Sequence, residues 1–174
     1  MSRKASFPPV VAADTRVLIL GSLPGERSLA ERRYYAHPQN QFWRLVGSVI
    51  GCELEELGYE ARLEALLAAR IGLWDTVASA TRTGSLDAAI REAEHTPLAE
   101  LVATLPELRA VAFNGATSAR IGTAALGGSD FALLPLPSSS PAYAAMPLTE
   151  KRRLWAAIGE FLAAPLASRA GDPQ

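Results

Sequence analysis

VLILGSLPG, residues 17–25, joins a run of four aliphatic residues to a turn rich in glycine and proline. A short apolar run that ends at a glycine is typical of a buried strand, so we predict a first strand over 17–20. The loop that follows contains YYAHPQN, residues 34–40, before the chain becomes apolar again. Aromatic, amide and imidazole groups gathered after a buried strand indicate a ligand site.

Three further apolar runs predict strands, and helical segments separate them. The strands are expected over 71–77, 108–115 and 131–137. The helices are expected over 40–50, 54–69, 86–93, 116–126 and 150–164. Strands that alternate with helices predict a parallel sheet covered on both faces. In such a sheet a ligand binds at the carboxyl ends of the strands. That rule selects three loops: 21–39, 113–117 and 137–143.

Composition and length restrict the class of protein. The 174 residues predict a single domain, 1–174, with frayed termini at 1–13 and 166–174. A formal net charge of −1 argues against binding to nucleic acid by bulk charge. One cysteine and two histidines cannot build a four-ligand zinc or iron–sulfur site, and phosphate-binding and dinucleotide motifs are missing. We therefore expect no metal and no other cofactor. The lone Cys52 and the lack of a secretory or membrane segment favour the cytoplasm.

The first loop offers two kinds of contact to a ligand. The glycines of GSLPG, residues 21–25, permit close approach of backbone N–H groups, although a plain turn explains them as well. Tyr35 is the first candidate for stacking on a planar base, and Tyr34 is the second. Either tyrosine could instead pack beneath the loop. Asn40 stands where a helix begins, so its side chain either caps that helix or serves the ligand.

The other two loops add polar groups to the same edge of the sheet. Asn114, in FNG, either shapes a turn or reads the edge of a base with its amide. The serines of SSSP, residues 138–141, either leave a strand or hold phosphates without a net positive charge. Asp75 and Asp87 are the carboxylates nearest to these loops in the sequence.

Taken together, the motifs resemble those of the hypoxanthine-DNA glycosylases of the uracil-DNA glycosylase superfamily. In chain order they are GSLPG, YYAHPQNQFW, GLWD, GSLD, AFNG and LPSSSP. The resemblance implies an α/β fold, a three-layer α/β/α sandwich with a central, mostly parallel four-stranded sheet. It also implies an enzyme without a metal that flips a deaminated base out of DNA and hydrolyses its N-glycosidic bond. We expect it to act on such DNA as a monomer.

The resemblance assigns roles to individual residues. Asn40 is expected to orient the attacking water. Ser22 stands where the mismatch-specific members of the superfamily carry a water-holding asparagine, and it is the second catalytic candidate. Base binding is expected from Leu23, Pro24, Gly25, Tyr35 and Asn114. Contacts with the DNA are expected from Ser138, Ser139, Ser140, Pro141 and Tyr143.

Three alternatives stay open beside the hypoxanthine enzyme. One is a glycosylase for uracil or for several deaminated bases. Another is a nucleic-acid-binding homologue that has lost catalysis, which Ser22 in place of asparagine keeps open. The third is a nucleotide-binding α/β domain unrelated to DNA.

Overall fold

The computed structural model describes residues 3–163 and folds them into two β-sheets with helices around them. The strands are β1 (Arg3–Ala5), β2 (Val17–Gly21), β3 (Ile71–Asp75), β4 (Val77–Thr81), β5 (Arg91–His95), β6 (Ala110–Asn114) and β7 (Ala132–Leu136). The larger sheet has the order β3-β2-β6-β7, and its strands are all parallel. Parallel strands point their carboxyl ends to one edge, so the loops after β2, β3, β6 and β7 meet there.

The helices connect these strands and cover the larger sheet. They are α1 (Glu26–Glu31), α2 (Phe42–Ile50), α3 (Tyr59–Ala68), α4 (Leu98–Val102), α5 (Ala116–Leu126), α6 (Leu148–Trp155) and α7 (Gly159–Leu162). Short 3-10 turns lie at Leu54–Glu56, Asp87–Ala89 and Ala156–Ile158. Within residues 3–163, no helix combines the length and the apolar character that crossing a membrane requires.

The side chains of β2 show why both faces of the larger sheet are covered. All residues of this strand are buried, and successive side chains of a strand point to opposite faces. Val17 and Ile19 pack in one cluster with residues of α2, α3 and α6. Leu18 and Leu20 pack in another with residues of α4 and α5. The three-layer α/β/α sandwich with a central parallel four-stranded sheet is therefore confirmed.

The smaller sheet, which the sequence did not predict, has the order β1-β4-β5 and is antiparallel. The helix predicted over 86–93 is wrong, because this segment holds only a 3-10 turn and the start of β5. All of β5 is exposed, so its sequence has no alternation of buried and exposed residues that could reveal a strand. The glutamates and the alanine of β5 favour a helix, but pairing of β5 with β4 overrides that preference.

The beginning of the described chain is also paired. Residues 3–5 pair with residues 79–81, and Val10 exchanges two backbone hydrogen bonds with Leu73, of 2.9 and 2.8 Å. The fraying predicted for residues 1–13 is therefore corrected for residues 3–5 and for Val10, which pair with strands of the two sheets. Residues 1–2 and the predicted frayed end at 166–174 lie outside the described residues.

Candidate active site

One cavity of about 310 Å³ lies at the carboxyl ends of the parallel strands. Its walls come from the three loops that the sequence selected and from the segment between β4 and β5. It brings together every site residue that the sequence proposed: Ser22, Leu23, Pro24, Gly25, Tyr35, Asn40, Asn114, Ser138, Ser139, Ser140, Pro141 and Tyr143.

The floor of the cavity lies at Gly21, beside the end of β3. A Cβ atom on Gly21 would lie 2.7 Å from Oδ1 of Asp75 and 3.0 Å from the hydroxyl of Tyr35, so only glycine fits. The buried Oδ2 of Asp75 and the buried hydroxyl of Tyr35 have no well-formed hydrogen bond within the described residues. Buried polar atoms without partners are rare, and these two offer hydrogen bonds to a ligand.

Burial also controls the ionisation of this floor. Asp75 is 3% exposed, and its pKa is raised well above its usual range by burial and, secondly, by the charge of Asp87. The guanidinium of Arg82 acts in the opposite direction. Burial, followed by the charge of Asp75, raises the pKa of Tyr35 and keeps its hydroxyl protonated, although the nearby side chain of Asn114 lowers that pKa. The floor therefore favours the protonated forms of Asp75 and Tyr35, which can donate hydrogen bonds.

Tyr35 is held rigidly beside this floor. Its ring stacks on Phe42 with 3.8 Å between centroids and 13° between planes. Its backbone has φ of 53°, a left-handed conformation that is costly for a tyrosine, and Trp43 Nε1 donates to its carbonyl at 3.1 Å. The second stacking candidate, Tyr34, is buried and its hydroxyl donates to the carbonyl of Pro8. Tyr34 is thus part of the core, and Tyr35 is the better-placed ring.

Asn114 ends β6, and its amide is bound on both sides by Ser139. Its Nδ2 donates to Ser139 Oγ at 2.8 Å, and the backbone N–H of Ser139 donates to Asn114 Oδ1 at 2.8 Å. Gly115 follows with φ of 100°, which turns the chain sharply into α5. Ser139 is only 1% exposed, and its hydroxyl is engaged by Asn114, so its side chain is placed to support that amide. Ser138 and Ser140 line the cavity, and both are half-buried.

The side chain of Asn40 has a structural role as well as a place in the cavity. Its Oδ1 accepts the backbone N–H of Phe42 at 3.0 Å, which satisfies a donor in the first turn of α2. The cap uses the oxygen alone, so the amide nitrogen is available to a ligand. Both interpretations of Asn40 that the sequence left open are therefore compatible.

The segment between β4 and β5 fixes the GSLPG turn. Arg82 is buried and donates to the carbonyls of Leu23 and Pro24. Ser22 Oγ donates to Asp87 Oδ1 at 2.5 Å. These contacts hold the first loop against the second sheet.

Sequence reasoning noted Asp75 and Asp87 without giving them a role, and it missed Arg82 and Leu86. Asp75 could have been selected, because it ends a predicted strand and such ends line the crevice. Leu86 and Asp87 lie in the GSLD motif, residues 84–87, but the helix predicted over 86–93 concealed their place at the cavity. Arg82 lies in none of the motifs.

A cavity at the carboxyl ends of parallel strands, lined by amides, hydroxyls and a held aromatic ring, defines an α/β enzyme for a small polar ligand. Residues 8–159 match the profile of the Uracil DNA glycosylase superfamily. The chain belongs to this superfamily.

Individual relatives support the same assignment. A protein named hypoxanthine DNA glycosylase from Methanosarcina barkeri is 46% identical over 116 residues, 67% of this chain and 73% of that protein. A protein of the same name from Methanosarcina acetivorans is 41% identical over 139 residues, 80% of this chain and 87% of that one.

A solved structure shares the fold. The solution NMR structure of a Methanosarcina acetivorans protein, provisionally described as a uracil DNA glycosylase, superposes with a TM-score of 0.83 and 37% identity. It covers 92% of this chain and 99% of that one. Together these findings confirm the family that the motifs predicted and the class of enzyme, a DNA N-glycosylase.

Proposed function

We propose that the protein is a DNA-repair glycosylase that flips hypoxanthine out of DNA and hydrolyses the bond between the base and its deoxyribose. Support comes from two relatives with that name at 41% and 46% identity and from a cavity suited to a flipped base. A volume of about 310 Å³ lies at the lower end of the range for small-molecule sites, roughly 300–1,000 Å³.

The observation that carries the choice of a deaminated base is the fixed orientation of the Asn114 amide. Flipping this amide would place two N–H groups against the backbone N–H of Ser139, so Nδ2 stays a donor. Ser139 Oγ takes one of its two hydrogens. The second is directed toward the buried Tyr35 hydroxyl, a contact that a ligand carbonyl would share or replace. Deamination of adenine replaces an amino donor by a carbonyl acceptor. A fixed N–H donor therefore favours hypoxanthine over its parent base.

The remaining residues would bind and activate the flipped nucleotide. Flipping costs a few kcal/mol, and less where the base pairs poorly, as a deaminated base does. The ring of Tyr35 would stack on the base, which is worth about 1–3 kcal/mol. The backbone of residues 23–25 would complete the base pocket.

Cleavage develops positive charge on the sugar and negative charge on the departing base. Asn114 would donate to the base carbonyl and stabilise that negative charge. Asn40 would orient water toward the sugar carbon, and because an amide is a poor proton acceptor its contribution is positioning. The reaction as proposed needs no cofactor.

The rim of the cavity would hold the bent DNA. Ser138, Ser140 and Pro141 would contact phosphates, and Tyr143, which is 40% exposed, would fill the gap left by the flipped base. Ser22 is the second residue that we place near the sugar, through its contact with Asp87.

A cleavage assay tests the proposed function. Duplexes with one hypoxanthine, uracil, xanthine or undamaged adenine are incubated with excess enzyme, and single-turnover rates are compared. We expect the fastest cleavage with hypoxanthine and none with adenine. Binding without cleavage of any lesion would instead indicate an inactive homologue.

A uracil-DNA or broad-specificity glycosylase is the second candidate. Uracil, like hypoxanthine, presents a carbonyl next to a ring N–H, so the same donor could bind either base. The same assay separates the two, since a uracil enzyme would cleave the uracil duplex fastest.

We further propose that residues 1–174 form one domain that acts as a monomer in the cytoplasm. The superfamily match spans residues 8–159, most of the chain. Sedimentation of the protein with and without a lesion duplex would reveal any dimer.

A further inference from the structure

Ser22 and Asp87 join two loops that are far apart in the sequence. Ser22 follows directly after β2, and Asp87 belongs to the 3-10 turn before β5. The Ser22 hydroxyl donates to Asp87 Oδ1 at 2.5 Å. A hydrogen bond between a hydroxyl and a carboxylate at this distance is short and charge-assisted. It fixes the position of the carboxylate on the wall of the cavity.

The charge of Asp87 is not neutralised by an ion pair. Of the acidic residues that line the cavity, Glu26 pairs with Lys4 at 2.7 Å. Among residues 3–163, neither Asp75 nor Asp87 forms an ion pair. Arg82 lies near enough for the charge of Asp87 to raise its pKa against the effect of burial. Its guanidinium, however, donates to backbone carbonyls.

An unpaired carboxylate is unexpected in a cavity that receives DNA. The phosphates of DNA are negative, so a negative group in this place opposes binding. If the residue only supported the loop, an asparagine or a serine would form the same hydrogen bond with Ser22 and would not repel the substrate. The charge itself therefore requires a chemical explanation.

The two carboxyl groups lie at different depths, which separates their environments. Asp75 is on the buried floor, where its ionisation is unfavourable. Asp87 is half-buried, and its neighbour Leu86 is 58% exposed at the opening. With the base of a flipped nucleotide on the floor, its sugar would lie between the floor and the opening, where Leu86 and Asp87 line the wall. Neighbouring carboxyl groups with different environments commonly have different catalytic roles.

We propose that Asp87 is a catalytic residue, whose carboxylate, held by Ser22, faces the sugar of the flipped nucleotide and accepts a proton from the attacking water. This inference rests on the proposed glycosylase function. The oxygen of water forms a bond to C1′ as the bond from C1′ to the base nitrogen breaks, and the electron pair of that bond leaves on the base. One proton of the water passes to Asp87, and the released base takes up a proton from solvent.

The carboxylate contributes in two ways along this path. Its negative charge stabilises the positive charge that develops on the sugar before water attacks. It also supplies the proton acceptor that Asn40 cannot supply, because an amide is too weak a base. Asn40 orients the water and Asp87 takes its proton, so the two residues have separate tasks.

The test removes the charge and keeps the hydrogen bond. Asp87→Asn retains an oxygen that accepts from Ser22, and Asp14→Asn is the matched control. Asp14 pairs with Arg70 near the amino ends of the strands, away from the cavity. Single-turnover cleavage and equilibrium binding of a hypoxanthine duplex are measured for each, with urea unfolding to compare their folding.

For Asp87→Asn we expect a rate lowered by about 10²–10⁴-fold, the usual contribution of a proton acceptor, with binding equal to or tighter than that of the parent. Asp14→Asn should match the parent. Ser22→Ala should lose less than Asp87→Asn, and the double variant should be no slower than Asp87→Asn alone, because Ser22 acts through Asp87.

Two results would overturn the role of Asp87 while leaving the glycosylase intact. In the first, the parent cleaves the hypoxanthine duplex and Asp87→Asn cleaves it at a rate within about threefold of the parent's. In the second, Asp87→Asn loses binding affinity for the duplex and keeps the parent's cleavage rate. A parent that cleaves no lesion would overturn the proposed function, and the role of Asp87 with it.

Discussion

Asn114 and Ser139 bind each other twice, through Asn114 Nδ2 to Ser139 Oγ and through Ser139 N–H to Asn114 Oδ1, both at 2.8 Å. The pair links the end of β6 to the loop after β7, which are 25 residues apart in the chain. It leaves the amide one orientation and so determines which hydrogen-bonding group a ligand meets. The serine is thereby a supporting residue of the proposed base pocket.

This pair predicts that the neighbouring serines have different roles. Ser139→Ala removes the acceptor of Asn114 Nδ2 and should destabilise the protein by about 1–2 kcal/mol, the cost of a lost buried hydrogen bond. It should also lower the preference for hypoxanthine over adenine, because the amide is less firmly held. Ser140→Ala should weaken binding to all duplexes alike, because Ser140 lies on the rim.

The measurements are urea unfolding, affinity, and single-turnover rates on a panel of lesions. From the sequence alone, both serines were expected to contact the DNA backbone and to leave base preference unchanged. Indistinguishable base preferences for Ser139→Ala and the parent would support that earlier expectation and would contradict the role derived from the contact with Asn114.

Substitution of Asn40 should separate its cap from its proposed task in catalysis. Asn40→Ala should lower the single-turnover rate by about 10²-fold or more and stability by about 1 kcal/mol. Asn40→Ser keeps a capping oxygen and loses the amide, so its stability should approach that of the parent while its rate stays low. If Asn40→Ser cleaves as fast as the parent, the residue matters only for the helix.

Most of the larger sheet could be predicted from the sequence, and the smaller sheet could not. The runs that became β2, β3, β6 and β7 are apolar because both faces of the sheet are covered, and such runs are visible without a structure. β5 has no buried face, and β1 is three residues long. Their pairing with β4 is a contact between distant segments, which no local pattern reports.

The same distinction applies to the site. The rule that ligands bind at the carboxyl ends of parallel strands selected the loops of Ser22, Tyr35 and Asn114, and the resemblance added Asn40. All four residues line one cavity. Asp87 was visible in the sequence as the last residue of the GSLD motif, but the helix wrongly predicted over its segment concealed its place in the wall of the cavity. The direct contact between Asn114 and Ser139 was equally invisible, since both residues were selected but for separate tasks.

Asp75→Asn should stabilise the protein, and the gain should grow with pH. Burial, and after it the charge of Asp87, raises the pKa of Asp75 in the folded state above the value of about 3.9 found in unfolded chains. The folded state therefore binds this proton more tightly. The stability due to Asp75 is complete below about pH 4 and falls by about 1.4 kcal/mol per pH unit until the raised pKa is reached.

Urea unfolding of Asp75→Asn and of the parent at about pH 4 and about pH 8 measures this effect, and the difference between them should be larger at the higher pH. Asp14→Asn, at an exposed aspartate, serves as the control for the general effect of removing a charge. A difference that does not change with pH would show that Asp75 ionises as easily in the folded state as in the unfolded one.

Lys151 holds the loop after β7 against the start of α2, which predicts a loss of DNA binding when it is replaced. Lys151 is 1% exposed, and its Nζ donates to Gln41 Oε1 and to the carbonyl of Tyr143, both at 2.9 Å. The ammonium also lies 5.2 Å from the centre of the Tyr143 ring. Burial lowers the pKa of Lys151. A buried ammonium is stable only with hydrogen-bond acceptors around it, and Gln41 and Tyr143 supply them.

Lys151→Met keeps most of the volume and removes the three donors. Gln41 and the loop then lose their link, Tyr143 is no longer held at the rim, and affinity for DNA should fall about tenfold, equivalent to 1.4 kcal/mol.

Arg153→Met is the matched control, because Arg153 lies on the same helix, is exposed and pairs only with Glu150 among the ion pairs of residues 3–163. The readout is fluorescence anisotropy with an undamaged duplex, on which we expect binding without cleavage. Tyr143→Ala should weaken binding similarly, and the double variant should be no weaker than either single variant, because Lys151 acts on DNA through the loop. Additive losses would mean that Lys151 affects binding by another route, and parent-like binding by Lys151→Met would mean that the loop keeps its position without it.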